Sequence, residues 1–527
     1  MKHAWAGGLT ALALVGVVGA AWLYFGPGVR SSTQAPKPVI EGARQQLVPY
    51  DELPVTAQPR TLALSMVDGE GHEPIRTAAL GDLARRMTMS AAPDRSRQAA
   101  LNPPADADNP SAQPVEAEPD DDPDVTPTLE GRIKGKRGLI LLHIGDSHTS
   151  ADFLTGELRR RLQARYGRGA PGYITAGHPH IGVRTSSLKI TASAGWTYKS
   201  LQKTDAVPAE FWLSGYNAVA TVPGETMTFS SERPANFDTI EIEVVRQPGG
   251  GTIDVRLDGV VETTYDLKSS KAEPVVIRLT PARATTEKVR EISIKTTGPG
   301  TVSIASVAIY NKQTGLTYNS VGYPGAQVSL VNKFNGKLFA NDLVRINPQI
   351  VVLSFGTNEA SNEALDLVQY GKSYERVVTR IKSVLPDAAI VVISPPDFAE
   401  LPAQCRKDKA PPASCGRASG EAKAPNGTNG TPDASDCIWR TPAKLSQIRE
   451  VQRDIAQRHG LAYWNWASIM PRECGAHAWY TASPPLMAKD HVHFTIEGYK
   501  KSAEQFLNTL IPVIEKVRVG ANAVPNN

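Results

Sequence analysis

Five short runs of strand length, each followed by an apolar pattern at helical spacing, constrain this chain more than any other feature. Leu139–Ile144, Ile350–Phe355, Ala389–Ser394 and Leu461–Trp466 have strand length and apolar character, and the more polar Thr317–Val321 supplies the missing second of the five. Strands buried on both faces read this way. Behind the first come Leu154, Leu158, Leu162 and Tyr166, with Gly167 as a stop. A helix around Val328–Phe339 follows the second run. Tyr374, Val377, Val378, Ile381 and Leu385 follow the third, and Leu445, Ile448, Val451 and Ile455 the fourth. Tyr499, Phe506, Leu510 and Ile514 follow the fifth. Alternating βα units predict a parallel sheet covered on both faces, an α/β fold.

The alternation is interrupted once. Ile240/Ile242/Val244, Ile253/Val255/Leu257, Val275/Ile277/Leu279, Ile292/Ile294 and Val302/Ile304 alternate with other residues at period two. Turn sequences such as Asp258-Gly259 and Gly298-Pro299-Gly300 separate them. This predicts an antiparallel β-sandwich at 185–312, inserted between α/β segments 138–184 and 313–517. Trp196, Tyr198, Trp212 and Tyr216 lie at its approach. Aromatic faces suit stacking on sugars, so Trp196 and Trp212 are candidate substrate-binding residues; large aromatics equally fill cores.

Apolar residues make up 41% and charged residues 21%, which excludes wholesale disorder. A net charge of +4 gives no argument for a nucleic-acid partner. Residues 1–30 contain an uncharged apolar run, Ala4–Phe25, behind Lys2. It is long enough to span a bilayer at about 20 residues and is expected to anchor the chain in the inner membrane. Val18-Gly19-Ala20 offers a cleavage site, so secretion is the alternative. Both readings export the protein. Residues 31–137, rich in Pro, Ala and polar groups, are expected to form a disordered tether, with a short helix around Thr77–Met89. Residues 518–527 are expected to be a polar tail. Four cysteines, Cys405, Cys415, Cys437 and Cys474, cluster near the C-terminus. In an oxidising compartment they predict two disulfides, with three connectivities open.

Four blocks carry the chemistry. Gly145-Asp146-Ser147-His148 places a hydroxyl at the mouth of a helix on the C-terminal sheet edge, where backbone N–H groups can hold an oxyanion. Gly322-Tyr323-Pro324-Gly325-Ala326 brings a backbone N–H close to a ligand. Gly356-Thr357-Asn358-Glu359 offers an amide N–H at Asn358. Asp490-His491-Val492-His493 supplies a general base with a carboxylate three residues earlier to orient it. His491 has no evident role, and no CxxC pair marks a structural zinc site.

In this order the four blocks resemble the SGNH (GDSL-like) hydrolase superfamily. The resemblance covers Gly138 to about Val517. It implies a flavodoxin-like, five-stranded parallel sheet (the SGNH hydrolase fold), with Ser147 as nucleophile, His493 as base and Asp490 as its orienter. It also implies an oxyanion hole from the N–H groups of Ser147 and Gly325 and the Asn358 side chain, with no metal or organic cofactor required. The inserted sandwich and the Gly-Thr-Asn-Glu-Ala run look like peptidoglycan O-acetylesterases of Gram-negative envelopes, in which a carbohydrate-binding-type module interrupts the hydrolase domain. The implied partner is an O-acetylated glycan, most directly peptidoglycan. A polysaccharide O-acetyltransferase using the same triad and a non-catalytic glycan-binding envelope protein are the alternatives.

Overall fold

Five strands form one parallel sheet: β1 (Leu139–Gly145), β2 (Leu316–Gly322), β3 (Ile350–Ser354), β4 (Ala389–Ser394) and β5 (Ala462–Asn465). Their order is β2-β1-β3-β4-β5, the flavodoxin-like arrangement in which the chain reverses direction beside β1. The computed structural model describes residues 44–49, 138–204, 210–235, 237–281, 288–311, 315–402, 405, 414–416 and 437–522. The expected anchor, the helix at 77–89 and nearly all of the expected tether lie outside these residues.

Side-chain alternation along the strands explains the two layers of helices. Leu142, Ile144, Val351, Leu353 and Val392 point into one core, shared with α2 (Gly336–Ile346), α3 (Leu367–Val384) and α4 (Leu445–Arg458). Leu139, Leu141, Ile350, Val352, Val391 and Ile393 point the other way, against α1 (Phe153–Tyr166) and α5 (Ile496–Asn522). A strand that buries both faces needs the continuous apolar runs seen in the sequence. The helices start where the chemistry of capping allows: the Asn335 side chain accepts from the N–H groups of Lys337 and Leu338, and that of Asp366 from Val368 and Gln369. The helix expected at Val328–Phe339 divides into a 3₁₀ turn, Val328–Lys333, and α2. Helix α5 continues to Asn522, so the start of the expected polar tail is helical.

Between α1 and β2 the chain forms two antiparallel sheets that enclose their own core of Ile240, Ile242, Val244, Ile253, Val255, Ile292, Ile294 and Ile304. The sandwich begins earlier than its period-two signal. Gly172–Thr175 pairs antiparallel with Val302–Tyr310, ahead of residue 185. Arg44–Pro49, expected within the tether, is a strand paired antiparallel with Glu273–Thr280 at the end of one sheet. Its six residues have no alternation that distinguishes them locally, and Pro49 closes the strand where a missing N–H is tolerated.

Candidate active site

Strand β1 ends at Gly145, in register with Gly322 of β2 and Ser354 of β3. The loops leaving these three strand ends carry Ser147, Gly325 and Asn358, so the three candidates share the C-terminal edge of the sheet. The segment before α5 brings Asp490 and His493 to the same place. His493 Nε2 lies 2.9 Å from Ser147 Oγ, and His493 Nδ1 lies 2.7 Å from Asp490 Oδ2. A carboxylate only accepts, so Nδ1 carries the proton and Nε2 accepts from the Ser147 hydroxyl. Asp490 Oδ1 accepts from the backbone N–H groups of Val492 and His493 at 3.0 and 2.9 Å, which fixes the carboxylate against its own loop.

These contacts set the charge states. Burial works against both charged forms. The ring hydrogen bond and charge of His493 override it for Asp490 and bring that carboxyl down to about 2. The hydrogen bond and charge of Asp490 raise His493 above the ordinary imidazole value. The side chains of His493 and Asp490 remain 40% and 49% exposed, so water screens the pair and its strength bears on proton transfer more than on stability.

The Ser147 end is built differently. Ser147 opens a short helix, Ser147–Ser150, capped by Asp146, whose carboxylate accepts from His148 N–H at 3.0 Å. Burial pushes the Asp146 carboxyl up to about 6, against that hydrogen bond. His148 is buried, with Nδ1 3.0 Å from Tyr499 Oη and its ring edge-on to Trp466. Burial pushes it down to about 3, so a neutral imidazole stands beside His493, 5.3 Å between ring centres.

Gly325 sits at the third position of a turn closed by Ala326 N–H donating to Tyr323 O, with φ +73. Pro then Gly at the centre is the type II requirement. Packing separates the two glycines of this block: a Cβ on Gly322 would lie 2.2 Å from Ser150 N, whereas one on Gly325 would meet only Gln202 Nε2, at 3.6 Å. Gly325 is therefore the one that faces open space. Among the described residues, neither Ser147 N–H nor Gly325 N–H is used within the chain. Asn358 Nδ2 donates to Ala326 O at 2.9 Å, which leaves its second proton. The following Glu359 is buried and accepts from Val328 N–H at 2.7 Å; burial pushes its carboxyl up to about 7. It ties the Asn358 segment to the chain just beyond the Gly325 turn.

Two expectations need correction. Trp196 is 6% exposed within the sandwich core, its indole N–H donating to Thr226 O, and Trp212 is 1% exposed beside Val245, Ala305 and Leu338. Neither offers a face to a sugar. Trp196 lies inside the sandwich and Trp212 between the outer face of one of its sheets and α2, and large apolar area goes to the interior in both places. Tyr216 is buried as well, and Tyr198 accepts from His178 N–H.

His491, without a role in the sequence, has one here. It is fully buried with φ +56, and its ring stacks on Trp439 with centroids 3.7 Å apart. Its Nδ1–H donates to Lys489 O at 3.1 Å, which leaves Nε2 to accept from His477 Nδ1 at 3.2 Å. Its carbonyl accepts from Ala399 N–H. The disulfides are Cys405–Cys437 and Cys415–Cys474. The first lies two residues from Trp439, and Cys474 precedes the helix Gly475–Tyr480 that carries His477. Both crosslinks thus converge on the ring stack that holds the loop of Asp490 and His493. A left-handed His between two site residues was the only local hint, and φ is invisible in sequence.

Among the described residues, no group of three or more His, Cys, Asp or Glu side chains is arranged to hold a metal ion, and no helix is long and apolar enough to cross a membrane. Residues 305–501 match the model of the GDSL-like Lipase/Acylhydrolase family. No curated protein matches the chain in sequence. A solved structure described as a peptidoglycan O-acetylesterase in action is similar at 24% identity and a TM-score of 0.54, covering 73% of this chain and 93% of that one. A family two carbohydrate esterase from Cellvibrio japonicus is 12% identical over 66% of this chain and 97% of its own, with a TM-score of 0.23 that bears no argument. The family match takes in Gly325, Asn358, Asp490 and His493 and four of the five strands of the flavodoxin-like sheet, and this part of the chain is similar to GDSL-like acylhydrolases.

Proposed function

We propose that this protein is an exported serine esterase that removes O-acetyl groups from a cell-envelope polysaccharide, peptidoglycan. The observation that carries the esterase reading is the unbroken hydrogen-bonded series Ser147–His493–Asp490, beside unused N–H groups at Ser147 and Gly325. Ser147 Oγ attacks the acetyl carbonyl while His493 Nε2 takes its proton. Asp490 holds the imidazole tautomer and stabilises the cation that forms. The N–H groups of Ser147 and Gly325 and the second amide proton of Asn358 receive the oxyanion, each worth about 10²–10³ in rate. His493 then returns its proton to the departing sugar oxygen. Water attacks the acetyl-enzyme with His493 again as base, releasing acetate. No step calls on a metal or organic cofactor.

The substrate class is supported by the likeness in fold to a peptidoglycan O-acetylesterase and by the inserted β-sandwich. Export is supported by the two disulfides and the apolar run Ala4–Phe25, which we read as an inner-membrane anchor holding the catalytic domain in the periplasm. Acetate release decides the substrate. O-acetylated peptidoglycan should be turned over faster than acetylated xylan, and Ser147→Ala should abolish both. Faster release from xylan would overturn the peptidoglycan assignment and leave the esterase.

A further inference from the structure

Tyr323, the first residue of the Gly325 turn, joins parts of the chain that are far apart in sequence. Its N–H donates to Gly145 O at 2.9 Å, at the end of the strand that delivers Ser147. Its hydroxyl donates to the carbonyl of Leu213, in the sandwich loop between strands Thr197–Ser200 and Tyr216–Ala220. The ring is 1% exposed and packs where Gly215, at φ +70, leaves room; a Cβ there would lie 2.8 Å from Tyr323 Cε1.

Leu213 is itself held in place. Its N–H donates to Asp342 Oδ2 at 2.7 Å, and Ser214 N–H donates to Tyr173 Oη at 3.0 Å. The Tyr173 hydroxyl in turn donates to Glu243 Oε2 at 2.8 Å. Arg345 of α2 bonds Asp342 at 2.7 Å and also reaches Glu243. Glu243 belongs to the sandwich strand Thr239–Arg246, and Tyr173, Ser214, Glu243 and Asp342 are all buried. A continuous series of buried polar contacts therefore runs from the sandwich to the turn that presents the Gly325 N–H.

We propose that the inserted sandwich is part of the catalytic framework: through Leu213 O and the Tyr323 hydroxyl it sets the position of the Gly325 N–H, and Tyr323 is a positioning residue for the oxyanion hole. The inference rests on the esterase reading. It differs from a substrate-binding role for the insertion in what it affects, which is the transition state of every ester, large or small.

Tyr323→Phe in the full chain removes only the hydroxyl. The kcat for a chromogenic acetate should fall about tenfold or more, since displacements of ångström size at a reacting centre cost up to about 100-fold. KM should stay within about twofold, because the ground-state carbonyl gains little from the hole. Phosphonylation of Ser147 by an aryl phosphonate, which also develops an oxyanion, should slow by the same factor as kcat/KM. The loss should be equal on acetylated polymer. Asp342→Asn, one contact further away, should show a smaller loss of the same kind and stands in if Tyr323→Phe does not fold. A folded Tyr323→Phe with full kcat, or a loss confined to KM or to the polymer, would overturn the proposal. Ser147→Ala tests the underlying reading separately: retained activity there, or phosphonate that does not label Ser147, would remove the esterase assignment itself.

Discussion

The two halves of the catalytic centre are held by opposite means. Ser147 follows a strand buried on both faces, on a helix packed against Tyr499, Trp466 and the core, with Asp146 and His148 beneath it almost without solvent. Asp490 and His493 lie on an irregular surface loop with side chains about half exposed. What fixes that loop is a stack of rings, Trp439 on His491 with His477 beside it, backed by two disulfides. The nucleophile therefore draws its position from the hydrophobic core, and the base draws its position from a few specific contacts. A core is costly to perturb and tolerant of solution conditions. A pinned loop can be released without unfolding the domain.

The largest effect expected separates the chemistry from both supports. Ser147→Ala should lower esterase kcat by about 10⁴–10⁶ with the melting temperature unchanged, because the side chain is half-buried and small. Asp490→Asn should cost about 10²–10⁴, less than the loss of the nucleophile, since the base survives without its orienter. The pH profile sharpens the comparison. His493 must be neutral to accept the proton, and Asp490 raises its pKa. Activity should therefore fall as pH drops through a value above the ordinary histidine range. In Asp490→Asn that acid limb should move to lower pH. An unshifted limb would show that another group is titrating.

His491→Ala removes the centre of the ring stack, and reduction of both disulfides removes its backing. Each should lower kcat about tenfold, because a loosened loop spends less time with His493 within reach of Ser147. Neither should affect the sheet, so the amide protons of β1 and β3 should keep their exchange protection. Full activity after reduction would mean that the loop holds itself. The smallest effect on rate is expected far from the site. Trp196→Ala should destabilise the sandwich by about 3–5 kcal/mol, read from denaturant midpoints, while turnover per folded molecule stays level on small and polymeric acetates alike. A selective loss on the polymer would restore a glycan contact to this residue.

Much of this was legible residue by residue. The apolar runs and the helical spacing behind them announced the parallel sheet. Gly-Asp-Ser, Gly-Thr-Asn and Asp-His-Val-His, each at a strand end or before the last helix, announced the edge on which the chemistry sits. That signal is local: a strand's polarity pattern and a turn's composition are properties of six or eight neighbouring residues. Helix α5 was foreseen for the same reason, and its extra length at the C-terminus was missed because the last turns carry no apolar stripe.

Other features depend on partners remote in sequence and leave no mark on the local sequence. Nothing near Arg44–Pro49 says that Glu273–Thr280 will accept it as a neighbour, or that Gly172–Thr175 belongs to the sandwich. Trp196 and Trp212 read equally as sugar platforms and as core; the closing of the sandwich buried the first, and packing of the sandwich on α2 the second. Four cysteines allow three pairings, and which one forms depends on where the loops bring the chain. His491, Glu359 and Tyr323 look like ordinary residues beside the motifs. Burial of the first against Trp439, the reach of the second to Val328, and the bond of the third to Leu213 are decided in three dimensions. The sequence by itself determined which residues can carry out acyl transfer and on which edge they gather, because period and polarity are written locally. Only the tertiary structure decided what holds His493 2.9 Å from Ser147, because that contact joins groups that the chain order keeps far apart, whereas the 2.7 Å bond to Asp490 is local.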